Sequence, residues 1–402
     1  MKYDFTTILD RRGKDALAVD LVGAPGSAYP APRAGFDVIP MWVADMNYPV
    51  APCVSDAILE RMKHPTFGYF QAPEDYYSAI IRWQEVRNGV VGLKPENIGY
   101  ENGVLGGVAS ALRALCTPGD RILVHAPTYV GFTHILEDNG YRIVHSPLIQ
   151  DEKGVWRMDF ADMENKITEN HIHTAIFCSP HNPCGRVWEQ EEIEKAMALY
   201  RRHDVAVISD EIWSDIIRPG CRHIPTQSVS EDAKQRTIAL YAPSKTFNLA
   251  GLVGSYHIIY NPTLLDKCSR AAALSGYNNL NVLSVHALIG AYSEDGAQWA
   301  DELRQVIAEN VDFAVAYIHR RFAGVEVFKP QGTYMLFIDC KGWLEAHCKT
   351  MDALLKMGWD VGVVWQDGRA FHGQTHIRMN LALPKARVEE AFMRLDRYVF
   401  NA

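Results

Sequence analysis

The middle of the chain alternates short apolar runs, rich in β-branched residues, with longer amphipathic runs. The segment from Glu189 to Arg202, for example, carries Ile193, Met197 and Tyr200 at the spacing of an amphipathic helix. The short runs have the length of buried strands and occupy residues 121–125, 174–178, 205–209, 237–241 and 255–259. Buried strands that alternate with helices are typical of a parallel sheet covered on both faces. The pattern therefore predicts an α/β domain over roughly residues 50–290.

The last hundred residues show a different order of elements. A long helix is predicted from about Trp299 to Arg321, and shorter helices at 351–357 and 385–398. Strand-like runs lie between them at 334–339, 361–365 and 376–381. This order indicates a smaller α+β domain over residues 291–402, which we expect residues 1–49 to join.

Composition excludes several classes of partner. The 402 residues include 40 Lys plus Arg against 48 Asp plus Glu, a net charge of -8, and basic residues never run beyond a doublet, so we expect no nucleic acid partner. No stretch reaches the roughly 18 apolar residues of a membrane span, and the N-terminus lacks a secretory signal, so a cytoplasmic protein with no membrane partner is expected. The eight cysteines form no CxxC pair and the 15 histidines no HExxH motif, so no metal site is expected.

Two predicted strands end in charged residues that could carry chemistry. Asp210 ends the apolar run at 205–209, where its carboxylate needs a cationic partner or would be protonated. A helix cap or a salt bridge would also explain it. Lys245 follows the run at 237–241 and could form a Schiff base with a carbonyl compound, although an isolated lysine is more often a solvated surface cation.

Three other strand ends carry turn or loop signals. Asn182 lies in an Asn-Pro turn directly after the run at 174–178, and Tyr129 follows the run at 121–125. Both are also compatible with a purely structural turn or with packing on the core. Gly103, Val104 and Leu105 open an apolar helix whose free N–H groups could hold a phosphate. That segment matches neither common phosphate-loop motif and is weak alone.

The order of these features resembles the fold-type I pyridoxal-phosphate enzymes, the aspartate aminotransferase superfamily, along nearly the whole chain. The resemblance implies a large domain with a mostly parallel, seven-stranded sheet and a smaller α+β domain. Residues 41–46 (Met-Trp-Val-Ala-Asp-Met), 209–212 and 243–248 look like the MalY/PatB branch of C–S lyases. Asn47 and Trp213 depart from that branch, which usually has Asp and, in many members, His at these positions.

The resemblance implies a role for each residue around the cofactor ring. Lys245 would bind pyridoxal 5'-phosphate through its amine and serve as general base. Asp210 would pair with the protonated pyridine nitrogen. Asn182 would hydrogen-bond the phenolic oxygen of the ring, and Tyr129 would stack on its face.

The resemblance also implies the phosphate and substrate contacts. The phosphate would contact the N–H groups of residues 103–105 and the Ser244 hydroxyl, with Tyr69 reaching it from a second chain of a homodimer. Arg378 would hold the substrate α-carboxylate as a bidentate fork. Trp42, Asn47 and Trp213 are expected close to the amino-acid substrate.

The implied activity is β-elimination from cystathionine or another cysteine S-conjugate, giving a thiol, pyruvate and ammonia. An aminotransferase is the alternative, because the same lysine can serve both reactions. Val253 stands eight residues after Lys245, where aminotransferase relatives often carry an arginine. The absence of that arginine argues against a typical aspartate aminotransferase. A third hypothesis is an interaction module, since some members of the branch also bind transcription regulators.

Overall fold

The computed structural model describes residues 1–275 and 278–401. Its strands are Ile39–Pro40 (β1), Ile98–Asn102 (β2), Arg121–Ala126 (β3), Arg142–Pro147 (β4), Ile149–Gln150 (β5), Trp156–Arg157 (β6), Thr174–Cys178 (β7), Ala206–Asp210 (β8), Thr237–Tyr241 (β9), Gly254–Ile258 (β10), Glu326–Val327 (β11), Met335–Asp339 (β12), Val363–Val364 (β13), Gln366–Asp367 (β14) and His376–Asn380 (β15). Its α-helices are Leu17–Asp20 (α1), Pro52–Met62 (α2), Glu74–Asn88 (α3), Val104–Leu115 (α4), Val130–Asp138 (α5), Phe160–Asn170 (α6), Gln190–Arg202 (α7), Glu231–Arg236 (α8), Pro262–Ser275 (α9), Val282–Ala291 (α10), Glu294–Arg321 (α11), Lys341–Ala346 (α12), Met351–Asp360 (α13) and Lys385–Leu395 (α14).

Contacts divide the chain into two compact units. Residues 50–182 and 186–301 form one, here called the central unit. Residues 1–49, 183–185 and 302–402 form the other, here called the terminal unit. The domain boundaries at 49/50 and 290/291 inferred from the sequence remain a prediction.

The central unit is built on a seven-stranded sheet with the order β2-β10-β9-β8-β7-β3-β4. Strands β3, β4, β7, β8 and β9 are parallel, which confirms the predicted mostly parallel α/β sheet. The predicted strand at 255–259 also forms, as β10, but it runs antiparallel to both neighbours. Residues 242–253, which join β9 to β10, contain only a short 3₁₀ turn, and a parallel return normally needs a helical crossover.

Two strands of this sheet were not predicted from the sequence. They are β2 and β4, which lie at the two edges. An edge strand is less enclosed than a central one and tolerates polar residues, so it lacks the continuous apolar run that marks the five inner strands. In β2, only the first and fourth of the five residues are buried.

Helix α4 packs against the middle of the sheet. Val104, Val108 and Leu112 lie in one buried cluster with Ile208 and Leu240 of β8 and β9. A Cβ added at residue 107 would lie 2.6 Å from Leu240 Cδ2, so glycine at this position permits a close approach of the helix. This packing fixes the N-terminus of α4 beside the ends of the central strands.

The terminal unit contains a four-stranded antiparallel sheet with the order β11-β12-β15-β14, and β1 pairs in parallel with β13. Helices α12, α13 and α14 accompany these strands in the chain. The predicted strands at 334–339 and 376–381 and the three predicted helices of this region are confirmed. The strand predicted at 361–365 shortens to the two residues of β13, and the helix predicted at 385–398 forms as α14 and continues as a π-helical turn over Asp396–Phe400.

Within the part of the chain that the structure describes, no helix combines the length and the apolar character needed to cross a membrane.

Candidate active site

Asp210 is the last residue of β8, in the interior of the sheet, and only 4% of its surface is exposed. It stands in register with Leu240 of the neighbouring strand β9. Its side-chain oxygen Oδ1 accepts a hydrogen bond of 3.1 Å from the N–H of Ile212. The carboxyl group is therefore fixed at the carboxyl edge of the sheet, where parallel α/β sheets bind ligands.

Lys245 lies four residues after the end of β9, in a compact turn. The N–H of Phe247 donates to Pro243 O at 2.8 Å, and the N–H of Leu249 donates to Ser244 O at 3.0 Å. Ser244 and Lys245 are half-buried. The Lys245 Nζ atom lies 5.7 Å from the ring centroid of Trp213, whose side chain is buried. The structure thus places Lys245 and Trp213 together.

Lys245 and Asp210 influence each other electrostatically. Burial raises the pKa of Asp210 to about 7, and the nearby charge of Glu211 adds to this effect. The Ile212 N–H and the positive charge of Lys245 act in the opposite direction and lower the pKa. Asp210 is therefore a carboxyl group that a further cationic partner would convert fully to the charged form.

The segment after β7 reaches the same edge of the sheet. The N–H of Ser179 donates to the carbonyl oxygen of Asp210 at 2.9 Å. The N–H of His181 donates to Arg186 O at 2.8 Å, which closes the turn that carries Asn182. Asn182 is buried, with 3% of its surface exposed. The Asn-Pro turn recognised in the sequence is thus attached to the strand that ends in Asp210.

The N-terminus of α4 and Tyr129 come together around Gly131. A Cβ built on Gly131 would lie 2.4 Å from Tyr129 Cε1 and 2.9 Å from Leu105 Cδ1, so the ring of Tyr129 is close to the first turn of α4. Gly103 caps this helix with φ 76°, a conformation that favours glycine. Its N–H donates to Glu101 O at 3.0 Å, while Val104 and Leu105 occupy the first turn, where N–H groups have no acceptor within the helix.

Tyr69 lies between α2 and α3, and its side chain is fully exposed. Phe67, two residues earlier, is also exposed. A fully exposed aromatic side chain is available for contact with another molecule.

In the terminal unit, Arg378 lies on β15 with 3% of its surface exposed. Its Nη2 donates to the carbonyl oxygen of Trp42 at 3.1 Å and to Gln366 Oε1. The guanidinium carbon lies 4.3 Å from the ring centroid of Phe371. The indole of Trp42 donates to Ala18 O at 3.0 Å. Arg378 and Trp42 are therefore neighbours in this unit.

Asn47 has a different environment in the same unit. Its side-chain oxygen accepts a hydrogen bond from Arg11 at 2.9 Å, and Arg11 also pairs with Asp45 at 2.6 Å. Its N–H donates to Ala382 O at 3.0 Å. Asn47 contributes to the wall of a cavity of about 350 Å³, which Arg387 also lines. Neither Arg378 nor Trp42 lines that cavity.

Sequence reasoning did not select Glu211, which is fully buried beside Asp210. Its carboxylate accepts hydrogen bonds from the Tyr241 hydroxyl at 2.6 Å, the Ser209 hydroxyl at 2.9 Å and the Thr226 N–H at 3.0 Å. His223 Nε2 lies 2.8 Å from the same carboxylate. Burial alone would raise the pKa of Glu211, but these partners hold it below its usual value. The Asp-Glu pair at the strand end was the available signal.

A second unselected pair is Asp215 and Thr246. The hydroxyl of Thr246 donates to Asp215 Oδ2 at 2.9 Å, and both side chains are buried. Thr246 follows Lys245 directly, and this adjacency was the signal in the sequence.

The residues described contain no group of three or more histidine, cysteine, aspartate or glutamate side chains that could hold a metal ion.

A mostly parallel seven-stranded sheet, with an amine and a buried acid at the ends of neighbouring central strands, is the large-domain architecture of fold-type I pyridoxal-phosphate enzymes. Residues 37–395 match the aminotransferase class I and II family, and the chain belongs to that family.

Proteins similar to this chain include those for which the predicted MalY/PatB branch is named. Cystathionine beta-lyase PatB from Bacillus subtilis is 34% identical over 361 residues, covering 89% of this chain and 92% of PatB. Protein MalY from Escherichia coli is 29% identical over 400 residues, covering 96% of each chain. The solved structure of the PLP-bound C–S lyase from Staphylococcus hominis has a TM-score of 0.89 and 29% identity, covering 99% of both chains. The fold predicted from the sequence is confirmed.

Proposed function

We propose that this protein is a pyridoxal-phosphate-dependent C–S β-lyase. Its substrate would be cystathionine or a related cysteine S-conjugate, which it would convert with water to a thiol, pyruvate and ammonia. The observation that carries the proposal is the placement of Asp210 and Lys245 at the carboxyl ends of the neighbouring parallel strands β8 and β9, with the pKa of Asp210 raised to about 7 by burial. The names of PatB and of the Staphylococcus hominis structure support it.

The residues of the central unit fit this cofactor. Asp210 is a buried carboxyl group that a protonated pyridine nitrogen would hold in its charged form. The N–H groups of Val104 and Leu105 at the start of α4, together with the hydroxyl of Ser244, would hold the phosphate. Gly103 permits the backbone bend that starts this helix, although its own N–H donates to Glu101 O.

The remaining contacts orient the ring. Tyr129, whose position Gly131 makes possible, would stack on one face. Asn182 would donate its side-chain amide to the phenolic oxygen. Lys245 would bind the cofactor through Nζ, and Trp213 supplies an apolar surface 5.7 Å from that atom.

When bound, pyridoxal phosphate withdraws electrons from the substrate and so stabilises negative charge at its Cα. Lys245 is the group proposed to remove the Cα proton, because its amine follows the strand next to the one that ends in Asp210 and lies close enough to influence the Asp210 carboxyl group electrostatically. Asp210 would hold a proton on the pyridine nitrogen by providing the countercharge. Arg378 would bind the substrate α-carboxylate through its guanidinium, and Trp42 and Asn47 remain proposed substrate neighbours.

The test of this function is a panel of amino acids incubated with the protein and pyridoxal phosphate. L-Cystathionine is expected to yield thiol and pyruvate in equal amounts, and Lys245→Ala is expected to yield neither. The alternative function is an aminotransferase, and the support for it is the match to the aminotransferase class I and II family. Amino-group exchange with 2-oxo acids, without thiol release from any cysteine conjugate, would establish that alternative and contradict the lyase.

We further propose a homodimer whose active sites are shared between chains. The support is Tyr69, which is fully exposed and would contact the phosphate bound by a second copy. Mixing Tyr69→Ala with Lys245→Ala chains tests this, because a mixed dimer contains one intact site. Activity should return on mixing inactive homodimers, and a monomer in sedimentation analysis would contradict the proposal.

A cytoplasmic location is the remaining part of the proposal. All eight cysteines are free thiols, and four of them are buried, which suits a reducing compartment. Cell fractionation of the source organism tests it. Recovery with a secreted or envelope fraction would contradict it.

A further inference from the structure

Asp215 connects the two segments that carry Asp210 and Lys245. It lies five residues after Asp210, in the turn that follows β8, and its carboxylate is buried. Its Oδ2 atom accepts the hydroxyl of Thr246 at 2.9 Å, and its Oδ1 atom accepts the indole N–H of Trp83 at 3.1 Å. Because Thr246 adjoins Lys245, a single carboxylate joins the turn after β8 to the turn that presents the amine.

The chain immediately after Lys245 is enclosed by aromatic rings. Phe247 is fully buried, 5.5 Å from the ring of Trp299 and 5.9 Å from that of Trp83. Trp83 in turn stacks on Tyr292, with ring centroids 4.4 Å apart and nearly parallel planes. Thr246 and Phe247 therefore have little freedom, while Lys245 itself is half-buried. The fixed residues set the direction from which the lysine side chain leaves the backbone.

The bonds to Asp215 are made in an interior site where a lost donor is costly. Burial raises the pKa of Asp215, whereas the positive charge of Arg87 and the bonds from Thr246 and Trp83 lower it. Arg87 lies over the Trp83 ring, 4.8 Å from its centroid, and is held by Asp301 at 2.6 Å. A buried carboxyl group that loses one donor is destabilised or moves, and either change would be transmitted to Thr246.

We propose that Asp215 is a positioning residue that acts through the Thr246 hydroxyl to hold the Lys245 amine in place relative to Asp210. This inference rests on the proposed function, because it concerns the amine that would bind pyridoxal phosphate. Asp215 itself need not touch cofactor or substrate. Its effect is on how fast and in what protonation state Lys245 captures the cofactor aldehyde.

The test compares Thr246→Val with Thr246→Ser in the full-length protein. The first removes the hydroxyl and keeps the side-chain shape, and the second keeps the hydroxyl. The rate at which cofactor-free protein captures added pyridoxal phosphate is followed by visible absorbance, and the bound form is then titrated with pH. Thr246→Val should capture the cofactor ~10- to 100-fold more slowly and show a shifted pH midpoint, because small misplacements of a reacting group have effects of this size. Thr246→Ser should match the unsubstituted protein in both the capture rate and the pH midpoint.

Ser146→Ala is the matched control. The buried Ser146 hydroxyl also donates to a carboxylate, that of Asp162, at 2.7 Å. It lies on β4, at the edge of the sheet and three strands from β8. This variant should lower the melting temperature and leave the capture rate and the pH midpoint unchanged. If Thr246→Val fails to fold, Asp215→Asn takes its place, with the same expected direction in both measurements.

The outcomes separate this inference from the proposed function. If the unsubstituted protein captures pyridoxal phosphate on Lys245 but Thr246→Val or Asp215→Asn behaves like Ser146→Ala, the Asp215 bond is purely structural and the inference is overturned alone. If the unsubstituted protein captures no cofactor on Lys245, the proposed function fails and the inference falls with it.

Discussion

The positive charge of Lys245 lowers the pKa of Asp210, yet burial of the carboxyl group dominates and raises that pKa to about 7. The carboxyl group is therefore substantially neutral in the cofactor-free protein at neutral pH. In an unfolded chain its pKa would be 3.8, the ordinary value. Between these two values the folded protein binds more protons at this site than the unfolded chain.

The stability of the cofactor-free protein should consequently fall as pH rises through this window. The Asp210 contribution to the free energy of unfolding should decrease by about 3 kcal/mol between about pH 5 and pH 8. Urea unfolding of the unsubstituted protein and of Asp210→Asn, which cannot titrate, measures the difference. Pyridoxal phosphate should remove this pH dependence, because it supplies a cationic partner. A difference between the two proteins that stays constant with pH would contradict the raised pKa.

Glu211→Gln tests the buried network beside Asp210. The pKa of Glu211 is held below 4.5 by His223, the Tyr241 hydroxyl and the Thr226 N–H, so its stabilising effect is present above about pH 4.5 and is lost as pH falls through the lowered value. At neutral pH the substitution should reduce the free energy of unfolding by about 3 kcal/mol, since it leaves one partner of a buried pair. Urea unfolding at several pH values checks this. If the loss in the free energy of unfolding caused by the substitution does not become smaller at acidic pH, a charged Glu211 is contradicted.

Gly131→Ala tests the placement of Tyr129. The new methyl group would lie 2.4 Å from the Tyr129 ring and must displace it. Because aromatic stacking is worth ~0.5–1.5 kcal/mol, the dissociation constant for pyridoxal phosphate should rise up to about tenfold. Gly251→Ala is the control, since residue 251 is exposed and a methyl group there meets no neighbour within 4 Å. Equal affinities of the two variants for pyridoxal phosphate would contradict the proposed stacking of Tyr129 on the cofactor.

Arg378→Lys tests the proposed carboxylate contact. Lysine keeps the positive charge but loses the planar fork, so KM for cystathionine should rise roughly 10- to 100-fold, as expected for loss of a charged hydrogen bond. The turnover number should change less. Arg397→Ala, at an exposed position of the same unit, should leave both constants unchanged. A variant that loses turnover with an unchanged KM would place Arg378 outside the substrate contact.

Much of the fold follows from local pattern. The five inner strands of the sheet are continuous apolar runs, because each is covered on both faces, and β7 and β9 have the predicted bounds. The edge strands β2 and β4 lack that signature and were missed. The antiparallel direction of β10 was also not predicted, because direction depends on the connection from β9 rather than on the strand's own residues.

The candidate site was partly predictable for a related reason. Asp210 ends β8, and Asn182 and Lys245 each lie four residues beyond the ends of β7 and β9, so strand order alone predicts that all three lie at the same edge of the sheet. Glu211 and Asp215 were not selected because their importance depends on partners far away in the chain, such as Tyr241 and Trp83. No local pattern in the sequence indicates which hydroxyl or indole will meet a buried carboxylate.

The central claim is that the Lys245 amine binds the aldehyde of pyridoxal phosphate. Borohydride reduction of the cofactor-loaded protein, followed by peptide mass spectrometry, tests this claim directly. The pyridoxyl group should be found on the peptide that contains Lys245 and should be absent from Lys245→Ala. A pyridoxyl group on another lysine, with Lys245 unmodified, would contradict the account.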